Sequence, residues 1–129
     1  MPISYVLDGP SRRVRTTVAG PVTVEDILNH LQAAWRDELL PLAELIDARR
    51  AARPILSVKD MQVAADRIRA MEFDRHTLGP RAVVVEDLAM FGVVRVFVAL
   101  VSDLFLMNVF RDLRDAENWL AEQESGRNR

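Results

Sequence analysis

Cysteine is absent from all 129 residues, which excludes a disulfide framework and any thiolate metal site. Histidine occurs twice, as His30 and His76, and neither has a partner at metal-ligand spacing; His30 falls on the outer face expected of its helix. The five glycines stand singly, so there is no glycine-rich phosphate loop. A Gly-x-Ser-x-Gly nucleophile turn is likewise missing. Lysine occurs once, against sixteen arginines, and the formal charge of −2 supplies no basic stripe for nucleic acid. No apolar run reaches the roughly 20 residues of a bilayer span. The opening Met1-Pro2-Ile3-Ser4 lacks the basic and apolar blocks of a signal peptide, so a cytoplasmic location is expected.

The strongest positive signal lies in Arg81–Phe110. A run of three valines leads into a helix-length segment, Asp87–Asp103, that is apolar around most of its circumference. At about 100° per residue, Gly92, Arg95, Ala99 and Ser102 share one narrow stripe. Met90, Phe91, Val93, Val94, Val96, Phe97, Val98, Leu100 and Val101 fill an arc of roughly 220°, well beyond the stripe that covers one sheet. The surplus predicts a docking face for a second copy, a partner or an apolar ligand, with Met90, Phe91, Val94, Phe97 and Val98 as the interface. Arg95, alone in the stripe, calls for a carboxylate, with Asp87, Asp103 and Glu86 in reach.

The length fits one domain, expected over residues 1–124 with a frayed tail at 125–129. Ile3–Leu7 and Val14–Val18 alternate like strands around the turn Asp8-Gly9-Pro10-Ser11, which predicts an opening hairpin. Thr23…Asp26 and Ser57…Asp60 have the layout of capping boxes with aspartate at the third helical position. The first opens a helix buried through Val24, Ile27, Leu28, Leu31 and Trp35; the second opens one repeating Met61, Ala64, Ala65, Ile68 and Met71. Leu42–Asp47 reads as a strand ending in the charged loop Asp47-Ala48-Arg49-Arg50, and Ala82–Val85 and Leu104–Phe110 as further strands. Asp112 starts a last helix with Leu113, Ala116, Trp119 and Leu120 inward. The order β-β-α-β-α-β-α-β-α predicts an α/β fold with a mostly parallel mixed sheet packed with helices.

Gly20 before a capped helix, Leu45-Ile46-Asp47-Ala48-Arg49, Arg81-Ala82-Val83-Val84-Val85, Phe91-Gly92-Val93-Val94-Arg95 and Val109-Phe110-Arg111-Asp112 … Trp119-Leu120 together resemble the SpoIIAA-like group of bacterial proteins. The resemblance implies a SpoIIAA-like (STAS-like) single domain, related to domains of sulfate transporters and anti-sigma-factor antagonists, and sometimes grouped with Sec14-like lipid-binding domains. In the antagonists a serine after the third strand is a phosphorylation switch, and Ser57 stands nearest that place here. A phosphate on it would meet exposed helix N–H groups and the side chains of Arg49, Arg50 or Arg53. The Asp-Ser-Ser-Gly run of those switches is not present, and Ser57 also serves simply as a helix cap. Asp47, Arg49, Arg50 and Ser57 thus form a candidate anion or partner site.

These observations imply a non-enzymatic interaction module without a cofactor, self-associating as a homodimer through the apolar helix. Two alternatives follow from the same features: a carrier of an apolar, lipid-like small molecule beneath that helix, and a partner switch controlled at Ser57.

Overall fold

A computed structural model describes residues 2–52, 56–72 and 78–127. The chain forms β1 (Ile3–Asp8), β2 (Arg13–Gly20), α1 (Val24–Arg36), β3 (Glu44–Ala51), α2 (Val58–Ala70), β4 (Arg81–Val84), α3 (Leu88–Leu100), β5 (Met107–Phe110) and α4 (Leu113–Arg127). Element order follows the sequence expectation throughout. The five strands form one sheet in the order β1-β2-β3-β4-β5, with β1 antiparallel to β2 and every later pair parallel. A hairpin joins β1 to β2, and the parallel order from β2 to β5 arises because α1, α2 and α3 each cross back over the sheet to the next position.

Alternation along the strands fixes two faces. Thr16 and Val18, Glu44, Ile46 and Ala48, and Arg81, Val83 and Val85 point to one side, where α1, α2 and α3 form a layer. Leu45, Ala82 and Val84 point to the other, where Ala116 and Leu120 of α4 complete a smaller core. Arg13 binds Glu124 at 2.6 Å and ties α4 back to β2.

Both capping boxes form. Asp26 N–H donates to Thr23 Oγ1 at 3.1 Å while Asp26 Oδ2 accepts from Thr23 N–H at 2.9 Å, and Ser57 and Asp60 repeat the pattern. Asp87 caps α3 by accepting from Met90 N–H at 3.0 Å, and Asp112 accepts from Asp115 N–H at 3.1 Å.

Four expectations need correction. The stretch Asp47–Arg50, expected as a loop, is strand, because β3 continues to Ala51 through a β-bulge at Ala48 and Arg49 opposite Val18 of β2. Strand β5 starts only at Met107; Leu104 and Phe105 are buried in the turn before it and supply side chains to the helical layer instead. Trp35 is exposed because the buried side of α1 runs through Leu28, Leu31 and Ala34. Helix α4 continues through Ser125 to Arg127, where a frayed tail is expected. No helix among the described residues is long and apolar enough to cross a membrane.

Candidate functional site

The helical layer packs largely against itself: side chains of α1, α2 and α3 share one cluster with Leu40, Leu78, Leu104 and Phe105. Between that layer and the sheet a cavity of about 150 Å³ remains open. Its floor is Thr16 and Val18 of β2, Ile46 and Ala48 of β3, and Val83 with Val85 at the end of β4. Helix α3 forms its roof through Met90, Val93, Val94 and Phe97, α1 adds Ile27 and His30, and α2 adds Met61. Thr16 and His30 are the two polar residues in this wall. Val85, Ala51 and Ala52 place the cavity toward the carboxyl ends of the parallel strands, where open α/β sheets put ligands.

The polar residues at the wall belong to a buried set at the opposite, amino-terminal ends of β3 and β4. Glu44 and Arg81 are registered neighbours on adjacent strands, and Arg81 Nε reaches Glu44 Oε1 at 3.2 Å. The other carboxylate oxygen accepts from Thr16 Oγ1 at 2.5 Å and pairs with His30 Nε2 at 2.6 Å. Burial pushes the Glu44 carboxyl up, but the His30 hydrogen bond, the Arg81 charge and the Thr16 hydroxyl together hold it below its ordinary value. The guanidinium of Arg81 also donates to the Gly79 carbonyl at 2.6 Å and lies 5.9 Å from the Phe105 ring centroid. Tyr5 of β1 meets His30 edge to face, with ring centroids 5.3 Å apart.

His30 is therefore not on an outer face: its side chain is only 13% exposed. It lies one turn before Ala34 and beside Ile27, on the flank of α1 that turns toward the sheet, where Glu44 draws the ring inward. The sequence did carry a signal for this set. Glu44 opens the apolar start Leu45-Ile46 of β3 and Arg81 opens the apolar β4, so each charge needs a buried partner. His76 and Arg53 lie outside the described residues.

The remaining candidate residues are not brought together in one site. Asp47 binds Arg49 side chain to side chain at 2.8 and 2.9 Å, and this hydrogen-bonded pair holds the Asp47 carboxyl below its ordinary range. Asp47 alternates with Ile46 and Ala48, so it points to the α4 side of the sheet, whereas Ser57 caps α2 on the opposite side. Ser57 accepts from Asp60 N–H within its capping box, and Arg50 is exposed.

Within α3, Phe97 is 7% exposed, while Met90, Phe91, Val94 and Val98 are half-buried over Val83, Val85 and Val109. Leu88, 68% exposed, is the outward apolar side chain of the first turn. Arg95 does not take the expected carboxylate: it lies 5.9 Å from the Phe91 ring centroid, Asp103 pairs with Arg69, and Asp87 caps the helix. A guanidinium over an aromatic face covers apolar surface while staying hydrated. No group of three or more His, Asp or Glu side chains able to hold a metal occurs among the described residues.

No protein-family model matches the sequence, and no curated protein matches it. Among solved structures the chain is similar to an uncharacterised protein of the DUF3478 family, with a SpoIIAA-like fold, from Shewanella loihica PV-4. The two share 18% sequence identity at a TM-score of 0.55, over 92% of this chain and 91% of that one. The strand order, the helical layer and the single helix on the far face are accordingly those of a SpoIIAA-like α/β domain.

Proposed function

We propose that the protein is a non-enzymatic binding module that holds a small apolar molecule between its sheet and the α1–α2–α3 layer. The observation that carries this reading is the cavity of about 150 Å³ with its nearly all-apolar wall. An apolar void of about this size stays dry and accepts a benzene-sized guest. A guest that binds there and not to the unfolded chain stabilises the fold by mass action. Its volume fits a single ring or a short branched chain.

Self-association through α3, the other role that the sequence suggests, has less in its favour. Phe97, Met90 and Val94 turn toward the cavity, and Arg95 covers the Phe91 ring. A switch at Ser57 has less again, since its hydroxyl is engaged in the cap and Arg49 is engaged by Asp47.

Three methionines, Met61, Met90 and Met107, line the cavity, and Met71 does not. Titration with benzene of protein carrying ¹³C-methyl methionine is expected to shift the first three methyl resonances and leave Met71 in place. Resonances that stay fixed up to the solubility limit of benzene overturn the reading. Light scattering on the same sample decides the competing role, because a dimer broken by Leu88→Glu favours the interface.

A further inference from the structure

The two edges of the sheet are finished differently. At β5 the Leu106 and Phe110 carbonyls accept from β4 and the residue after it, which turns the Val109 backbone outward, and there the Asn108 side chain accepts the Val109 N–H at 2.8 Å. Strand β5 is also only four residues long. At β1 the Pro2 carbonyl accepts from Ala19 N–H, so by antiparallel alternation Ser4, Val6 and Asp8 also turn their backbone to β2. The N–H and C=O groups of Ile3, Tyr5 and Leu7 therefore point away from the sheet. Proteins blunt such edges with lysine, proline or a bulge, and β1 has none of these. Its large exposed side chains are apolar instead, Val6 at 65% and Leu7 at 45% exposure.

A second copy of β1 matches this edge. The outward groups are disposed symmetrically about Tyr5, so a two-fold axis there, perpendicular to the sheet, sets Tyr5 against Tyr5 and Ile3 against Leu7, and every outward N–H and C=O of the strand is paired. Residues opposed in this register share a face, as antiparallel pairing requires: Leu7 meets Ile3 on the helical side, and Val6 meets Ser4 on the other. The charges beside the strand reverse in the same way. Helix α1 runs alongside β1, with Asp26 in a small groove shared with Pro2 and Ile3, and with Arg36 at the far end, where its charge acts on the Tyr5 phenol. The axis brings the Arg36 end of one α1 toward the Asp26 end of the other, while Asp37 is held by the Tyr5 hydroxyl.

We infer that β1 is a self-pairing edge, through which two copies of the chain join antiparallel about Tyr5 and merge their five-stranded sheets into one. Two six-residue strands bury less than the roughly 1,600 Å² of a standard stable interface, so the dimer is a weak one that forms as concentration rises.

Hydrogen exchange at single amides reads the pairing. In a monomer the amides of Ser4, Val6 and Asp8 are bound to β2, while those of Ile3, Tyr5 and Leu7 are open to water. Raising the concentration from about 50 μM to about 1 mM is expected to slow exchange at Ile3, Tyr5 and Leu7 about ten-fold, with sedimentation showing the matching rise to a dimer. Leu7→Lys puts a charge on the edge at an exposed position, and it is expected to remove both changes while leaving thermal melting of the dilute protein unchanged. Leu88→Glu on α3 is expected to keep both. Because the chain has no cysteine, Ser4→Cys and Val6→Cys proteins each carry a single thiol, and mixing them in air is expected to give the mixed disulfide in preference to either like pair. A monomer at about 1 mM overturns the inference. A dimer whose Ile3, Tyr5 and Leu7 amides stay open, or one that survives Leu7→Lys and is broken by Leu88→Glu, overturns it too, because the contact then lies on another face. Equal yields of mixed and like disulfides overturn the pairing about Tyr5.

Discussion

Glu44 and Arg81 face one another in register across β3 and β4, both nearly inaccessible to solvent, with Arg81 Nε 3.2 Å from Glu44 Oε1. An ion pair in this position stabilises little against water, but neither member tolerates loss of the other.

Glu44→Ala therefore takes one carboxylate partner from the buried Arg81 guanidinium, and the shared acceptor from His30 and Thr16. The expected loss is about 3–5 kcal/mol of unfolding free energy in urea titration. Glu44→Leu combined with Arg81→Met removes both charges, and it is expected to recover most of that loss. A double variant as unstable as Glu44→Ala would show that the pair, and not the stranded charge, sets the cost.

Acid removes the same interactions. The Glu44 carboxyl is held below its ordinary value in the folded protein, so its contribution is complete above the unfolded value and disappears as pH falls through the folded one. Asp47, held down by Arg49, acts in the same direction. Unfolding free energy is therefore expected to be insensitive to these groups near neutrality and to fall below about pH 4. Glu44→Gln, compared with the parent by urea titration at pH 3 and pH 7, is expected to show a smaller difference between the two.

Local chemistry was legible in the sequence wherever one segment determines the outcome. Thr23 with Asp26, and Ser57 with Asp60, each identify a helix start, and each forms the predicted cap. What the sequence does not carry is the juxtaposition of distant segments. His30, Glu44 and Arg81 belong to three elements, and only the crossover of α1 over the sheet brings the imidazole to the start of β3. The surplus apolar arc of α3 was real, but the cover for much of it comes from α2, from β5 and from its own Arg95. The cavity is the difference between the span of the helical layer and the volume of its side chains, which no single segment encodes.

Ser57→Ala removes the acceptor for Asp60 N–H and is expected to cost about 1 kcal/mol, read as a lower urea midpoint with unchanged slope. Benzene binding is expected to be retained, because α2 remains anchored by Met61, Ala64, Ala65 and Ile68. A phosphoserine function predicts in addition that Ser57→Ala alters a partner's binding.

Ala48 is buried in the cavity floor, and its side chain leaves unfilled volume above it. Ala48→Ile suits the strand and occupies that space, so thermal melting is expected to rise by roughly 2–6 °C, a gain of about 0.5–1.5 kcal/mol. The same variant is expected to abolish the methyl shifts that benzene produces at Met61 and Met90. Stabilisation without loss of benzene binding would place the guest elsewhere.

Two glycines should respond to alanine in opposite directions. A Cβ on Gly79 would lie 2.5 Å from the Leu42 carbonyl oxygen and 2.6 Å from that of Pro41, both backbone atoms that cannot step aside. Gly79 also supplies the carbonyl that Arg81 binds and donates its N–H to Leu40 at 2.8 Å, so displacing it disturbs the buried charge set. Gly79→Ala is expected to lose at least about 1–3 kcal/mol. Gly92 lies on the exposed stripe of α3, and a Cβ there meets nothing within 4 Å. Gly92→Ala removes backbone freedom from the unfolded chain and is expected to gain about 0.5–1 kcal/mol, with benzene binding unchanged. Melting temperatures of the two single variants check the pair, and destabilisation by Gly92→Ala would indicate that another surface packs closely on that stripe of α3.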